Sequence, residues 1–207
     1  KEGKLVTFVT KKGIVKRTDM SEFESIRANG KIAITLKEND ELLAVFLTNG
    51  KEEILIGASN GRMVKFTEDE IRLLGRTASG VKGIDIPDDV DCVSADVITE
   101  DDEILIITEN GYGKRTNVRE YRLTHRGSKG VKGLNVTEKN GSLISISKVQ
   151  DDSDLIIITN SGIVIRIPLD QVSKMSRVTQ GVRLITLKDG QKVATVSISK
   201  KEEETES

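Results

Sequence analysis

EILIITENGYGKRTNVREYRLTHRGSKGVKGLNV, residues Glu103–Val136, decides how this chain is read. It strings together an apolar run, an Asn-Gly turn, a basic run, a basic loop and a glycine-flanked run. ILIIT (104–108) is short, continuous and rich in β-branched residues, the pattern of a strand buried on both faces. Asn110-Gly111 admits a two-residue hairpin, because both central residues can take positive φ. GYGKRT (111–116) is then the returning strand.

The rest of the chain repeats this stretch. Turns at Lys12-Gly13, Asn60-Gly61, Asn110-Gly111 and Ser161-Gly162 keep a period of 48 to 51 residues. A second set of glycines, Gly30, Gly80, Gly130 and Gly181, keeps the same period. Each copy predicts four strands. The first is at 4–10, 53–58, 103–108 or 154–159, and the second is GIVKRT, GRMVKFT, GYGKRT or GIVIRI. A loop with short helical turns, such as 68–74, leads to a third strand starting at 31, 81, 131 or 182. The fourth is 42–48, 91–98, 142–149 or 192–199; in SLISISKV the apolar residues alternate, predicting one solvated face. Four-stranded units at a regular period predict an all-β, propeller-like ring or arc rather than two separate sandwiches. The expected organisation is one domain over 1–199, with blades near 1–50, 51–100, 101–150 and 151–199, and a solvated acidic tail at 200–207.

Composition removes several classes of function. With 3% aromatic residues and no tryptophan, the core must be Ile, Val and Leu. One cysteine, Cys92, excludes an intrachain disulfide and is expected to be a small core residue. With one histidine, His125, no His/Cys zinc cluster can form. Gly127, Gly130 and Gly133 form a glycine-rich run, but the phosphate-binding pattern GxxxxGK[ST] is absent. The acids at 100–103 and 151–154 lack calcium-loop spacing, so neither metal nor cofactor is expected in this chain. No apolar run approaches a membrane span.

A net charge of −1 gives no bulk attraction to polyanions. The distribution does. From each turn glycine to the start of the third strand (13–31, 61–82, 111–132, 162–183) the chain carries 20 Lys or Arg against 8 Asp or Glu. In the window 111–132 the ratio is 7 to 1. Acidic residues cluster elsewhere, at 38–41, 88–89, 100–103 and 151–154. Equivalent positions in a repeat protein lie along one edge, so recurrent cations predict a basic stripe. The candidates are Lys16, Arg17, Arg27, Lys31, Lys65, Arg72, Arg76, Lys82, Lys114, Arg115, Arg119, Arg122, Arg126, Lys129, Lys132, Arg166, Lys174, Arg177 and Arg183. Edge protection by lysine explains one or two per repeat, not this excess. Tyr112 and Tyr121 are the only tyrosines, so stacking of single-stranded bases is disfavoured. What remains is contact with a duplex backbone, salt-steep and indifferent to sequence. A protein-interaction scaffold for an acidic partner is the alternative.

ENGYGKRT (109–116), EYRLTHRGSKGVKG (120–133) and NGRMVKF…LGRTASGVKGIDI (60–86) closely resemble the C-terminal domain of bacterial DNA gyrase A subunits. KKGIVKRT (11–18) and NSGIVIRI…RVTQGV (160–182) fit the same repeat. The related topoisomerase IV domain is the second choice. The resemblance implies a β-pinwheel, in which neighbouring blades exchange strands and duplex DNA is wrapped on a basic outer rim. It implies a non-catalytic part of a cytoplasmic, nucleoid-associated type II topoisomerase. ATP and Mg are then used by other parts of the holoenzyme, and the partners are the remaining gyrase A domains and gyrase B. The pattern departs from the family at two points. Four repeats are visible where the family has six, and they look like the last four. The heptapeptide Q-R-R-G-G-R-G is absent, and Thr124–Gly130, THRGSKG, is its nearest counterpart.

Overall fold

The computed structural model describes residues 4–24 and 30–200; Arg27 and the acidic tail from 201 lie outside them. Its strands are β1 (Leu5–Thr10), β2 (Ile14–Asp19), β3 (Leu42–Thr48), β4 (Glu53–Ala58), β5 (Arg62–Thr67), β6 (Val81–Lys82), β7 (Cys92–Ile98), β8 (Glu103–Thr108), β9 (Tyr112–Asn117), β10 (Val131–Lys132), β11 (Leu143–Val149), β12 (Ser153–Thr159), β13 (Val164–Pro168), β14 (Val182–Arg183) and β15 (Val193–Lys200). Single 3-10 turns at Met20–Phe23, Glu68–Glu70, Val118–Glu120 and Leu169–Gln171 follow each second strand.

The chain divides into two compact units, Lys1–Thr99 with Tyr121–Gly133, and Glu100–Glu120 with Leu134–Ser207. In the first unit the sheets run β3-β1-β2-β6 and β10-β5-β4-β7. Val9, Val15, Ile54, Ile56, Val64, Phe66 and Ile84 share one core with Cys92, whose thiol burial pushes up to about 12. In the second unit the sheets run β11-β8-β9-β14 and β13-β12-β15. Leu105, Ile107, Leu155, Ile157, Leu169 and Ile185 form its core. The first strand of each repeat lies inside its sheet, and Ile104–Thr108 is buried throughout, as its continuous apolar run predicts.

Three expectations are corrected. The turns are not two-residue hairpins with two positive-φ residues, because Asn39 is the one non-glycine with positive φ among the described residues. Instead the amide of Gly61 donates to Ala58 O (2.9 Å), and Gly111, Gly13 and Gly162 repeat this bond to the residue three before. Each glycine then takes φ near +81 to +85°, the left-handed step of a three-residue loop with a bulge. Second, the third strands are two residues long and complete the sheet of the preceding repeat: β6 pairs with β2, β10 with β5, and β14 with β9. This is the exchange that the resemblance implies. It explains three of the second glycine set, since a Cβ at Gly80 would sit 2.4 Å from Val15 O, one at Gly130 2.2 Å from Met63 O and one at Gly181 2.8 Å from Gly113 O, while Gly30, with no exchanged strand behind it, has open space. The incoming backbone passes too close to its acceptor strand for any side chain. Third, residues 30–37 carry no strand, and the sheet of the last repeat has three strands rather than four.

Candidate nucleic-acid interface

Five cations of the second strands, Lys16, Arg17, Lys65, Lys114 and Arg115, are buried, whereas Arg62 and Arg166 on the same set of strands are exposed. Lys16 is fully buried, and its ammonium donates to Ala33 O (2.5 Å), Arg76 O (2.7 Å) and Gly75 O (3.3 Å). Lys114, equally buried, donates to Arg177 O (2.7 Å), Ser176 O (2.8 Å) and Thr179 O (3.2 Å). Burial lowers both amines, Lys114 to about 8, with Glu120 opposing the shift and Arg177 adding to it. The neighbouring arginines act alike. Arg17 donates to Ile71 O (2.6 Å) and pairs with the buried Glu68 (3.1 Å). Arg115 donates to Val172 O (2.8 Å) and pairs with Glu103 (3.2 Å) and Asp151 (3.4 Å). Lys65 is buried as well.

The basic stripe is therefore corrected for these five residues. An ammonium enclosed by carbonyls presents little charge to solvent. Its work is to satisfy the backbone of the loop that leads into the exchanged strand. Nothing in their register separates them from surface cations, because consecutive residues of a strand reach both faces and here both faces are covered. Other candidates are also engaged. Arg126 donates to Glu70 O (2.9 Å) and Lys82 O (3.1 Å), and Arg76 to Ile32 O (2.7 Å). The Arg177 amide donates to Glu120, and Lys31 donates to Glu24 O (2.8 Å). Arg119 pairs with Asp101 (2.5 Å), Lys174 with Glu103 (3.1 Å), and Arg166 with Asp154 (2.6 Å).

Most of the exposed candidates sit on the exchanged strands and the loops before them. Lys82, Lys132 and Arg183 occupy the second residue of β6, β10 and β14 and are exposed. Lys82 pairs with Asp85 (2.8 Å), which holds that carboxyl below its ordinary range. Lys132 lies directly opposite Arg62 in the β10–β5 ladder, and both are exposed. Arg72, Arg122 and Lys129 are exposed too, and Lys129 lines two adjoining clefts, one with Arg122 and Thr124, the other with Asn60 and Arg62. His125 is 90% exposed, with Nδ1 2.9 Å from Glu70.

Sequence reasoning missed Arg62, which follows a turn glycine but has no cation at the equivalent place in other repeats. It also missed a cluster in the second unit. Arg183 donates to the Tyr112 hydroxyl (3.1 Å) with its guanidinium 5.6 Å from the ring centroid, and the Lys139 ammonium lies 5.7 Å from that centroid. The signal was Tyr112 itself, weighed only as a base-stacking platform.

Tandem sheets, three of which take an edge strand from the next repeat, with cations on the borrowed strands, define a β-pinwheel type of repeat protein. A family model described as DNA gyrase C-terminal domain, beta-propeller, matches residues 4–49, 52–99, 102–150 and 153–200. The chain belongs to this family. It is 47% identical over 193 residues to the DNA gyrase A protein of Ureaplasma parvum, and 48% identical over 207 residues to that of Staphylococcus aureus. These matches cover 93% and 99% of the chain but 23% of each relative, so the chain spans about a quarter of their length. Among solved structures, the C-terminal domain of DNA topoisomerase IV superposes with a TM-score of 0.89 at 26% identity, over 97% of this chain and 62% of that one. A DNA gyrase A C-terminal domain superposes at 0.82 and 23% identity, over 96% and 67%, a likeness of fold.

Proposed function

We propose that this chain binds duplex DNA through its phosphates and bends or wraps it, as the C-terminal domain of a gyrase A protein. In that setting it supports ATP-dependent negative supercoiling in the bacterial cytoplasm, carried out with the remaining gyrase A domains and gyrase B. The chain then contributes no catalytic group, and ATP and Mg act elsewhere in the holoenzyme.

The observation that carries this reading is Lys132 opposite Arg62. Like charges directly opposite in an antiparallel pair repel, so folding alone does not favour them. Lys132 on the two-residue edge strand β10 and Arg62 at the start of β5 are both exposed, which suits an external polyanion. The exposed candidates are Arg72, Lys82, Arg119, Arg122, Lys129, Lys132, Arg166, Lys174 and Arg183, joined by Arg62; of these Lys82, Arg119, Arg166 and Lys174 already hold ion pairs within the chain. Bending a duplex over a few tens of base pairs costs several kcal/mol, which distributed phosphate contacts must offset.

The test is duplex affinity against salt. Each phosphate neutralised adds about 0.9 to the slope of log K against log salt. A slope of several units, equal for unrelated sequences, supports the reading. A flat response, or no retention of duplex at low salt, assigns the surface to an acidic protein partner instead.

A further inference from the structure

We propose that the cleft around Tyr112 is a preorganised seat for one backbone phosphate, with Tyr112 as the positioning residue for Arg183 and Lys139. The proposal rests on the DNA reading above and names a site within it. Tyr112 opens β9 and is buried as a residue, 5% exposed, so a base has no open ring face to stack on. Both cations instead lie against that ring. The β9–β14 register sets Arg183 directly across from Tyr112, and the hydroxyl accepts from one guanidinium nitrogen. A guanidinium has five N–H donors in a rigid fork, so this bond fixes its plane and leaves others for an oxyanion.

The wall bearing Lys139 is fixed as well. Asn110 Nδ2 donates to Glu138 O (3.1 Å) and Lys139 O (3.3 Å), while Asn110 Oδ1 accepts from Lys192 (2.8 Å). One asparagine thus ties the turn carrying Lys139 to a further cation. The cleft so framed holds ≈ 270 Å³ and is also lined by Lys188, with Asp189 as its one lining acid. Four cations around one small cavity suit an anion of phosphate size. Arg183, Lys139 and Lys192 are held by contacts within the chain, Lys192 also by Glu109 (3.6 Å), which reduces the ordering cost that flexible lysines and arginines otherwise meet on binding.

The experiment measures affinity of the intact chain for a short linear duplex across a salt series. Arg183→Gln is expected to lower the salt slope by about 0.9, the signature of one lost phosphate. Tyr112→Phe keeps the ring and removes the acceptor, and is expected to weaken binding about two- to tenfold with the slope unchanged. Added to Arg183→Gln, it should cost nothing more, because the group it positions is gone. Should Tyr112→Phe fail to fold, Lys139→Gln combined with Arg183→Gln gives the test: both cations serve one phosphate, so this double variant should lose no more slope than Arg183→Gln alone. A wild-type slope for Arg183→Gln, or additive losses in either double variant, overturns the seat while leaving DNA binding in place. Absence of duplex binding by the unmodified chain overturns the DNA reading itself, a distinct outcome.

Discussion

Two rows of cations run through the repeats and do opposite work. Lys16, Arg17, Lys65, Lys114 and Arg115, on the second strands, are buried. Lys82, Lys132 and Arg183, on the exchanged strands, are exposed. The inner row directs its charge at carbonyls and carboxylates of the chain, and the outer row holds its charge at the solvent boundary. Residue type and register are the same in kind, and only the covering of the sheet faces separates them. A repeat can thus be basic by count at two places while presenting one of them to solvent.

The sharpest way to break this contrast is to strip the inner row of a partner. Glu68→Ala leaves Arg17 buried against its lost carboxylate, and also removes the acceptor of Thr48 Oγ1 (2.9 Å) and the Glu52 amide (3.0 Å). Stability should fall by about 3–5 kcal/mol in denaturant titration. The salt slope of the molecules that remain folded should be unchanged. Were the slope to fall instead, Arg17 would belong to the outer row.

Lys132→Glu is the reverse experiment. Thermal unfolding should stay within a degree or two, because the site is an exposed edge and Arg62 gains an opposite charge. Duplex affinity should drop severalfold for every sequence alike, with a slope lower by about 0.9. A loss confined to one sequence would contradict backbone recognition.

Lys114 sharpens the contrast through pH. Its amine stands at about 8 in the fold against an ordinary value of 10.5, because burial disfavours the charged form. Between those values the unfolded chain holds more protons, so this group's contribution to stability rises with pH and is lost as pH falls through that window to about 8. Comparing urea midpoints of the wild type and Lys114→Met at pH 7 and pH 10 should show the wild type gaining relative to the variant. Equal differences at both values would mean that the amine is not held as burial dictates.

The smallest effect is expected at Arg62. Arg62→Thr removes the repulsion with Lys132 and suits a strand, so stability should rise by about 0.2–1 kcal/mol while duplex affinity falls. A stability loss would show that the pair is not repulsive as built.

Much of the architecture was legible because it rests on short-range chemistry. Continuous β-branched runs named the central strands, and Gly13, Gly61, Gly111 and Gly162 named the turns. The turn type was misread because Asn-Gly suits several loops, and which forms depends on the bulge that follows. The exchange of third strands came from the resemblance. Residue pattern alone could not assign it, since a two-residue strand such as Val131–Lys132 carries no periodicity. Within the candidate site, recurrence singled out Lys132 and Arg183, and the fold leaves both exposed. Lys16 and Lys114 were misassigned for the same reason, because burying a lysine requires a ring of carbonyls supplied by a loop some sixty residues away. Charge counting does not see that ring.

The lending of edge strands has a consequence for how such a chain can grow or shrink. The segment that is copied, about fifty residues, and the segment that closes a sheet are out of phase: each copy brings one vacancy and one filler, and the filler serves its neighbour upstream. Inserting or deleting a whole copy within the array therefore leaves every interior vacancy matched. A cut at residue 120, between a second strand and the filler that follows, would not: β5 would lose β10 though no residue of its own repeat was touched. Adding or removing whole cassettes would thus change the repeat number while each interior junction stays bonded.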